Sequence, residues 1–485
     1  MSDWTTIIGL EVHAEMLTGS KMFSPCPVVD SVEAAPNSAV DAVSMALPGT
    51  LPVINRKAME YGLMVGLALN CEIPPFSQFA RKSYFYPDLP KGYQISQYEY
   101  PLAVNGYIDI TLEDGSEKRV GVTRAHMEED TGKSQHVDSG FSLVDLNRAG
   151  VPLLEIVSEP DIRSSAEAEA YARKLRAILQ YLGVNHGDMS KGVLRFEANV
   201  SVMHKDDTEF RQRTEIKNLN SIRSMVRAID SEVVRQIDLW ESGQEVKSAT
   251  LGWDEAAGKI RVQRYKERAD EYRYFPEPDL PIVEMSREYV EEVRARLPEL
   301  PEIKQKRFMD ELGLSEYDAR LLVGEQTIAH FYEEVLAHGA DPKSAANWIL
   351  VTLFSIFNKA DVAREDIEQT NVSAANLAEL VKMVDAKKLN KGSAEKVLNI
   401  MWETGDAPAP IVEREGLAQV SDEGQISDLI DEVLAANQAM VDRYVAGEDK
   451  LFGALMGKSM SALKGRGNPQ VVTKLLREKL AAMKA

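Results

Sequence analysis

The tightest constraint in this 485-residue chain is a set of short segments in which apolar residues alternate with acids, imidazoles and guanidinium groups. In residues 5–17, Ile8, Leu10, Val12 and Ala14 share one parity and Gly9, Glu11, His13 and Glu15 the other. Similar alternation occurs at 104–112, 119–128, 152–158, 193–203 and 213–219. A period of two predicts half-buried strands, paired antiparallel. Parity puts Arg124, His126 and Glu128 on one face of their strand, with Glu129 at its end, and turns Glu155 away from Leu154 and Ile156. It sets Arg195, Glu197, Asn199 and Ser201 opposite Leu194, Phe196, Ala198 and Val200, and groups Arg213, Glu215 and Lys217.

Alternation alone requires only that one face of a sheet be solvated. Here several strands each contribute Glu, His or Arg, so neighbouring strands would gather carboxylates on one face. Clustered carboxylates repel one another unless a cation neutralises them. Mg²⁺ does so and prefers oxygen ligands. Mg²⁺ bridging ATP phosphates, with Arg and Lys on the outer phosphates, is a phosphoryl-transfer arrangement. The pattern therefore predicts metal-assisted chemistry on a sheet and names no substrate.

Helical periodicity is expected at 55–70, at 165–182 after the Ser164–Ser165 cap signal, and at 221–241. After about residue 295 it dominates, punctuated by Gly and Pro at 297–301, 313–315, 339–342 and 405–410. Beyond the last break, helices are expected at 425–447, 450–463 and 468–482. The expected architecture is α+β: an antiparallel-sheet domain over 1–295, an all-α domain over 296–408 and a small all-α tail over 409–485. Net charge is −20, which argues against a chain coated in basic patches. The balance is uneven. From Glu413 to Asp449 acids, Asp422 among them, outnumber the two bases Arg414 and Arg443. From Lys450 onward, with Lys464 in the run, Lys and Arg dominate and Glu478 is the lone acid. A basic terminal module on an acidic body suits a polyanion that touches one end.

Other chemistries find little support. The two cysteines, Cys26 and Cys71, cannot build a disulfide framework or a four-thiolate zinc site. Gly-Lys-Ser at 132–134 lacks the upstream glycine of a P-loop, because position 127 is methionine. No GxSxG elbow occurs. No secretory signal and no bilayer-length apolar run is visible, so the cytoplasm is the expected location and no membrane partner is expected. The segments 82–100 and 271–279 are dense in Tyr, Phe and Pro, and either plug a core or shape a cleft against the sheet edge.

The segments IGLEVHAEM, RKSYFYPDLPKGYQISQYE, RAHMEEDTGKS, DLNRAGVPLLEIVSEPDIRS, RTEIKNLNS, EYRYFPEPDLP and GNPQVVTKLL occur in this order. Together they resemble the B subunit of the glutamyl/aspartyl-tRNA amidotransferases over about residues 5–480. The resemblance implies a cradle similar to the catalytic sheet of glutamine synthetase, which binds ATP, Mg²⁺ and the aminoacyl end of a misacylated Glu-tRNA(Gln) or Asp-tRNA(Asn). It implies a tail that docks on the tRNA, an amidase (glutaminase) A subunit that supplies ammonia, and a small C subunit completing a heterotrimer. It assigns the catalytic site to Glu11, His13, Glu128, Glu129, Glu155 and Glu215. Glu11, His13, Glu128, Glu155 and Glu215 would hold the metal; on the chemistry of phosphoryl transfer, Arg148, Arg195 and Lys217, with Glu197 beside them, are the expected nucleotide-binding residues. The chain departs from the family where many relatives carry paired cysteines suited to zinc: only Cys26 falls in that loop, so no zinc site is expected. It also carries Glu197 where Asp is common. A stand-alone ligase acting on a small acid and a non-catalytic tRNA-binding scaffold are the rival readings. The basic tail counts against the first and the clustered carboxylates against the second.

Overall fold

The computed structural model describes residues 3–136, 140–265, 272–419, 423–463 and 466–484. Asp422 and Lys464 of the charge runs, and Glu271 of the second aromatic segment, lie outside these residues. The chain divides into two compact units, Met1–Pro301 and Glu302–Ala485; the first ends a few residues past the expected boundary at 295.

The first unit opens with strand β1 (Trp4–Glu15) and helix α1 (Arg56–Ala68). Short strands β2 (Phe76–Ser77), β3 (Ala80–Ser83) and β4 (Tyr93–Ser96) follow. Next come β5 (Ala103–Thr111), β6 (Glu117–Glu129), β7 (Lys133–His136), β8 (Ser142–Asp145) and β9 (Pro152–Ser158). Helix α2 (Ser165–Tyr181) leads to β10 (Leu194–His204) and β11 (Thr214–Leu219). The unit closes with α3 (Ile222–Glu241), β12 (Ala249–Asp254), β13 (Lys259–Tyr265), β14 (Phe275–Pro276), β15 (Val283–Glu284) and α4 (Arg287–Ala295).

Eight strands form one sheet in the order β13-β12-β11-β10-β1-β9-β6-β5. All neighbours pair antiparallel except β11 and β12, which run parallel. The exception has a local cause: α3 carries the chain from the end of β11 back to the start of β12, and a crossover helix returns a strand in the same direction. Strand β1, first in sequence, lies at the sheet's centre between β9 and β10.

One face of the sheet is apolar, as parity predicts. Leu10, Val12, Leu154, Ile156, Phe196 and Val200 share a core with Leu63 of α1, Tyr171 and Leu175 of α2, and Met225 and Ile229 of α3. Burying each such side chain is worth about 1.5–3 kcal/mol, which makes the helices cover this face and leaves the opposite one free for polar groups. Each covering helix starts at a side-chain cap. Asn55 accepts from the backbone N–H of Lys57 and Ala58, Ser164 from Glu167, and Ser221 from Ser224. Over the polar face, β3, β4 and β14 form a small separate sheet. It brings the two aromatic segments together, and Tyr98 stacks on Tyr274 with centroids 4.2 Å apart.

The second unit is helical. It runs through α5 (Pro301–Asp310), α6 (Glu316–Val323), α7 (Gln326–Ala337), α8 (Pro342–Asn347), α9 (Phe354–Ala360), α10 (Ala374–Asp385), α11 (Lys391–Thr404) and α12 (Pro408–Arg414). These share a core from Phe308 to Val412. The helices α13 (Glu423–Ala436), α14 (Gln438–Val445), α15 (Leu451–Ala462) and α16 (Pro469–Lys484) build a second core from Ile426 to Leu480. The change of core falls after Val412, somewhat later than the expected 408. The single helix expected at 425–447 is two, interrupted at Asn437, whose side-chain amide donates to the Val433 carbonyl. Among the described residues no helix is long and apolar enough to cross a membrane.

Gly106 on β5 lies against the turn after α1. A Cβ built there would stand 2.3 Å from Cys71 Sγ and 2.6 Å from the Leu69 carbonyl oxygen. The carbonyl belongs to the backbone and cannot rotate away. Gly106→Ala should therefore destabilise the first unit by about 1–3 kcal/mol, read as a lower urea midpoint with unchanged slope.

Candidate active site

The polar face of the sheet is built strand by strand from the residues that parity sets aside. β1 presents Glu11, His13 and Glu15. Register places His13 opposite Glu155 of β9 on one side and opposite Arg195 of β10 on the other. Glu11 lies opposite Glu197, Asn199 opposite Glu215, and His126 of β6 opposite Glu155. Directly opposed residues in neighbouring strands share a face. The result is a band of acids and imidazoles crossing five strands.

The band resolves into two adjoining groups. In the first, His13 Nε2 lies 3.3 Å from Glu155 Oε2 and 3.7 Å from Glu128 Oε1. His126 Nε2 approaches the same two carboxylates at 3.6 and 4.0 Å. In the second, Glu11, Glu197 and Glu215 each offer an oxygen, all within 4.8 Å of one another; the same limit holds for His13, Glu128 and Glu155. Asn199 donates to Glu11 at 2.8 Å, Lys217 to Glu197 at 2.6 Å, and Thr250 to Glu215 at 3.1 Å.

Crowding of like charge in a buried place sets the protonation of these groups. Burial opposes a charge on His13, but Glu155, Glu197 and Glu128 overcome it and push its pKa up to about 9. Burial pulls His126 down to about 4, with the cations Arg124 and Lys82 acting the same way, so this ring is neutral at pH 7. Glu128 rises to about 7 through burial and its neighbour Glu155. Glu155 stays ionised despite burial because protonated His13 hydrogen-bonds to it and Lys82 lies near it. Glu11 is raised by burial and then by Glu155, Glu197 and Glu215. The face thus shares protons and cations among more carboxylates than it can hold ionised unaided.

The remaining expected site residues divide. Lys217 belongs to the band through Glu197 and lies 3.6 Å from Glu215. Arg195 and Arg148 stand at one end, both turned to Asp130: Arg195 Nη1 donates to Asp130 Oδ2 at 2.8 Å, and Arg148 Nε lies 3.7 Å from it. Arg148 also donates to the carbonyls of Thr131 and Gly132 at 3.0 and 2.9 Å. Glu129 is the exception. Its carboxylate is taken up by the short sheet instead: Lys91 donates to it and the Ile95 N–H of β4 reaches it at 3.0 Å. The structure brings it into neither triad.

Sequence reasoning missed Asp130 and Lys82. Asp130 follows the last residue of β6, where parity no longer applies, although it directly extends the acidic pair before it. Burial works against its ionisation, yet Arg148 and Arg195 hold its pKa down to about 2. Lys82, on the four-residue β3, is held protonated against its burial by Glu128 and Glu155 and lies near the rings of Tyr84 and Tyr272. A strand that short shows no period, and only its place beside the aromatic run could have marked it.

Carboxylates and one imidazole, grouped in threes on a rigid sheet, form a donor set suited to hard divalent cations. The flanking guanidinium and ammonium groups suit phosphate oxygens. Comparison with known proteins adds the family. Residues 6–291 match the family model described as the GatB/GatE catalytic domain, and residues 330–480 match the GatB domain. The B subunit of the aspartyl/glutamyl-tRNA(Asn/Gln) amidotransferase of Thermodesulfovibrio yellowstonii is 46% identical over 98% of both chains. Proteins of the same name from Geobacter sulfurreducens, at 48% over 99% of both chains, and Moorella thermoacetica, at 47% over 99% of this chain and 100% of that one, are equally similar. With both domain models matched in order and relatives aligned end to end, the chain belongs to the family of aspartyl/glutamyl-tRNA(Asn/Gln) amidotransferase B subunits.

Proposed function

We propose that this chain activates the side-chain carboxylate of Glu or Asp on a misacylated tRNA by ATP-dependent phosphorylation, then directs ammonia onto it to give the amide. The reading rests on one observation above all, the two adjoining triads His13–Glu128–Glu155 and Glu11–Glu197–Glu215 on the sheet face opposite the helices.

The chemistry explains why such a face is needed. A free carboxylate resists attack by ammonia because oxide is a poor leaving group. Attack of a carboxylate oxygen on the γ-phosphorus of ATP forms an acyl phosphate and releases ADP. Ammonia then bonds to the acyl carbon and inorganic phosphate departs. Every participant before the last step is anionic, so their approach must be electrostatically assisted. Mg²⁺ held by the two triads would offset charge on the phosphates. Glu11, Glu128, Glu155, Glu197, Glu215 and, on giving up its proton to the metal, His13 would serve as its ligands. Lys217 and the Arg148–Arg195 pair would orient phosphate oxygens from either end of the band, Asp130 fixing the pair. Glu129 would act indirectly, by anchoring Lys91 and the strand β4.

The partners follow from the same reading. Ammonia must come from a separate amidase subunit, a small third subunit would complete the assembly, and the basic C-terminal helices would contact the tRNA backbone. A stand-alone ligase is disfavoured by this basic module. A tRNA-binding scaffold is disfavoured by the acidic band, which repels RNA unless cations occupy it.

With the amidase partner present, Glu11→Gln and Glu215→Gln should each abolish ATP-dependent conversion of charged tRNA while glutamine hydrolysis by the partner persists. Unchanged turnover in both would remove the second triad from the reaction. A separate prediction concerns Asp130. Its pKa of about 2 lies below the ordinary 3.8, so its contribution to folding is complete above that ordinary value and is lost as pH falls through 2. Asp130→Asn should lower the denaturant midpoint at pH 7, and the gap between variant and parent should narrow as pH falls through 2.

A further inference from the structure

The cations of the polar face are almost all committed to carboxylates. Arg195 and Arg148 serve Asp130, Lys217 serves Glu197 and Glu215, and His13 and Lys82 serve Glu128 and Glu155. Arg124 is different. It projects from β6 on the same face as His126 and Glu128, and its Nε is buried with no hydrogen-bond partner. Among the described residues its guanidinium makes no salt bridge and no hydrogen bond. Its nearest electrostatic effects are on His126 and on the phenol of Tyr274, the ring stacked on Tyr98. The Nδ1 of His126, the next side chain on that face, is also buried without a partner.

A guanidinium carries five N–H donors in a rigid planar fork, and leaving a buried one unmatched is costly. The group that best matches the fork is a planar anion taking two parallel hydrogen bonds, which is a carboxylate. Nearby protein carboxylates are already engaged, so the anion must be brought by a ligand. On the function proposed above, the ligand carries such a group by definition: the side-chain carboxylate about to be phosphorylated. Arg124 adjoins the first triad through His126 and is flanked by an aromatic wall able to cover the aliphatic stem of a glutamyl or aspartyl group. We infer that Arg124 forms the subsite that receives the side-chain carboxylate of the aminoacyl group and so distinguishes the acid from its amide. The inference rests on the proposed function and adds to it a residue for substrate discrimination.

The test compares one tRNA charged either with the acid or with the corresponding amide. Binding is measured to the complex reconstituted with its amidase partner, with Mg²⁺ and a non-hydrolysable ATP analogue present. The parent should favour the acid by roughly 10- to 100-fold, the range of a charge-assisted pair. Arg124→Gln should bring that ratio near one and raise KM for charged tRNA while KM for ATP stays put. Arg124→Lys, which keeps the charge and loses the fork, should recover part of the ratio and serves also if the glutamine variant folds poorly. An unchanged acid-to-amide ratio in either soluble variant overturns the inference. So does a rise in KM for ATP alone, which would assign Arg124 to a phosphate. Failure of the parent complex to amidate charged tRNA with ATP would instead sink the proposed function and this subsite with it.

Discussion

Repulsion among carboxylates is the constraint around which this chain is arranged. Six acidic or imidazole side chains from β1, β6, β9, β10 and β11 face one another at distances where full ionisation is unsustainable. The protein manages the excess by several devices at once. It keeps His13 protonated, raises Glu128 and Glu11, and sets Lys82 and Lys217 beside the band. A fold selected for stability alone would replace such a cluster with apolar residues, since buried ions seldom repay their desolvation. Its presence on the sheet face that the helices leave open is what the proposed binding of cations and phosphates accounts for.

The sheet supplies rigidity by a simple division of labour. The apolar parity of each strand is covered by α1, α2 and α3, so that the polar parity is fixed as firmly as the core beneath it. Because side chains alternate strictly, slipping any strand by one residue would bury acids and expose Leu10, Phe196 or Ile156. The hydrophobic core therefore holds the register of the polar groups as well as the fold.

Much of this was legible in the sequence, for reasons that differ by element. The strands carrying Glu11, His13, Glu155, Glu197 and Glu215 are long enough for a period of two to be read, and their shared face follows from parity alone. What parity could not supply was strand order, since β1 pairs with β10, far away in sequence. Strands β12 and β13 went unread although Ala249, Leu251 and Trp253, and then Ile260 and Val262, alternate with polar residues or glycine, and the parallel join of β11 to β12 follows from a crossover helix that no local pattern records. The short strand β3 hid Lys82. Glu129 shows the opposite limit. It sits inside a segment whose resemblance to the family is strong, yet its carboxylate is committed to Lys91 and the β4 backbone and joins neither triad.

The central position of β1 has a consequence for how the chain comes into being. During synthesis β1 must wait until roughly residue 150 for one neighbour and roughly residue 200 for the other. Meanwhile both of its edges, and an apolar side made of Ile8, Leu10 and Val12, stay open to mispairing. Tyr274, the stacking partner of Tyr98, arrives later still. Synthesis thus leaves a long interval in which a nascent segment needs shielding, and slowing translation before residue 200 would lengthen the period during which a holding chaperone is required.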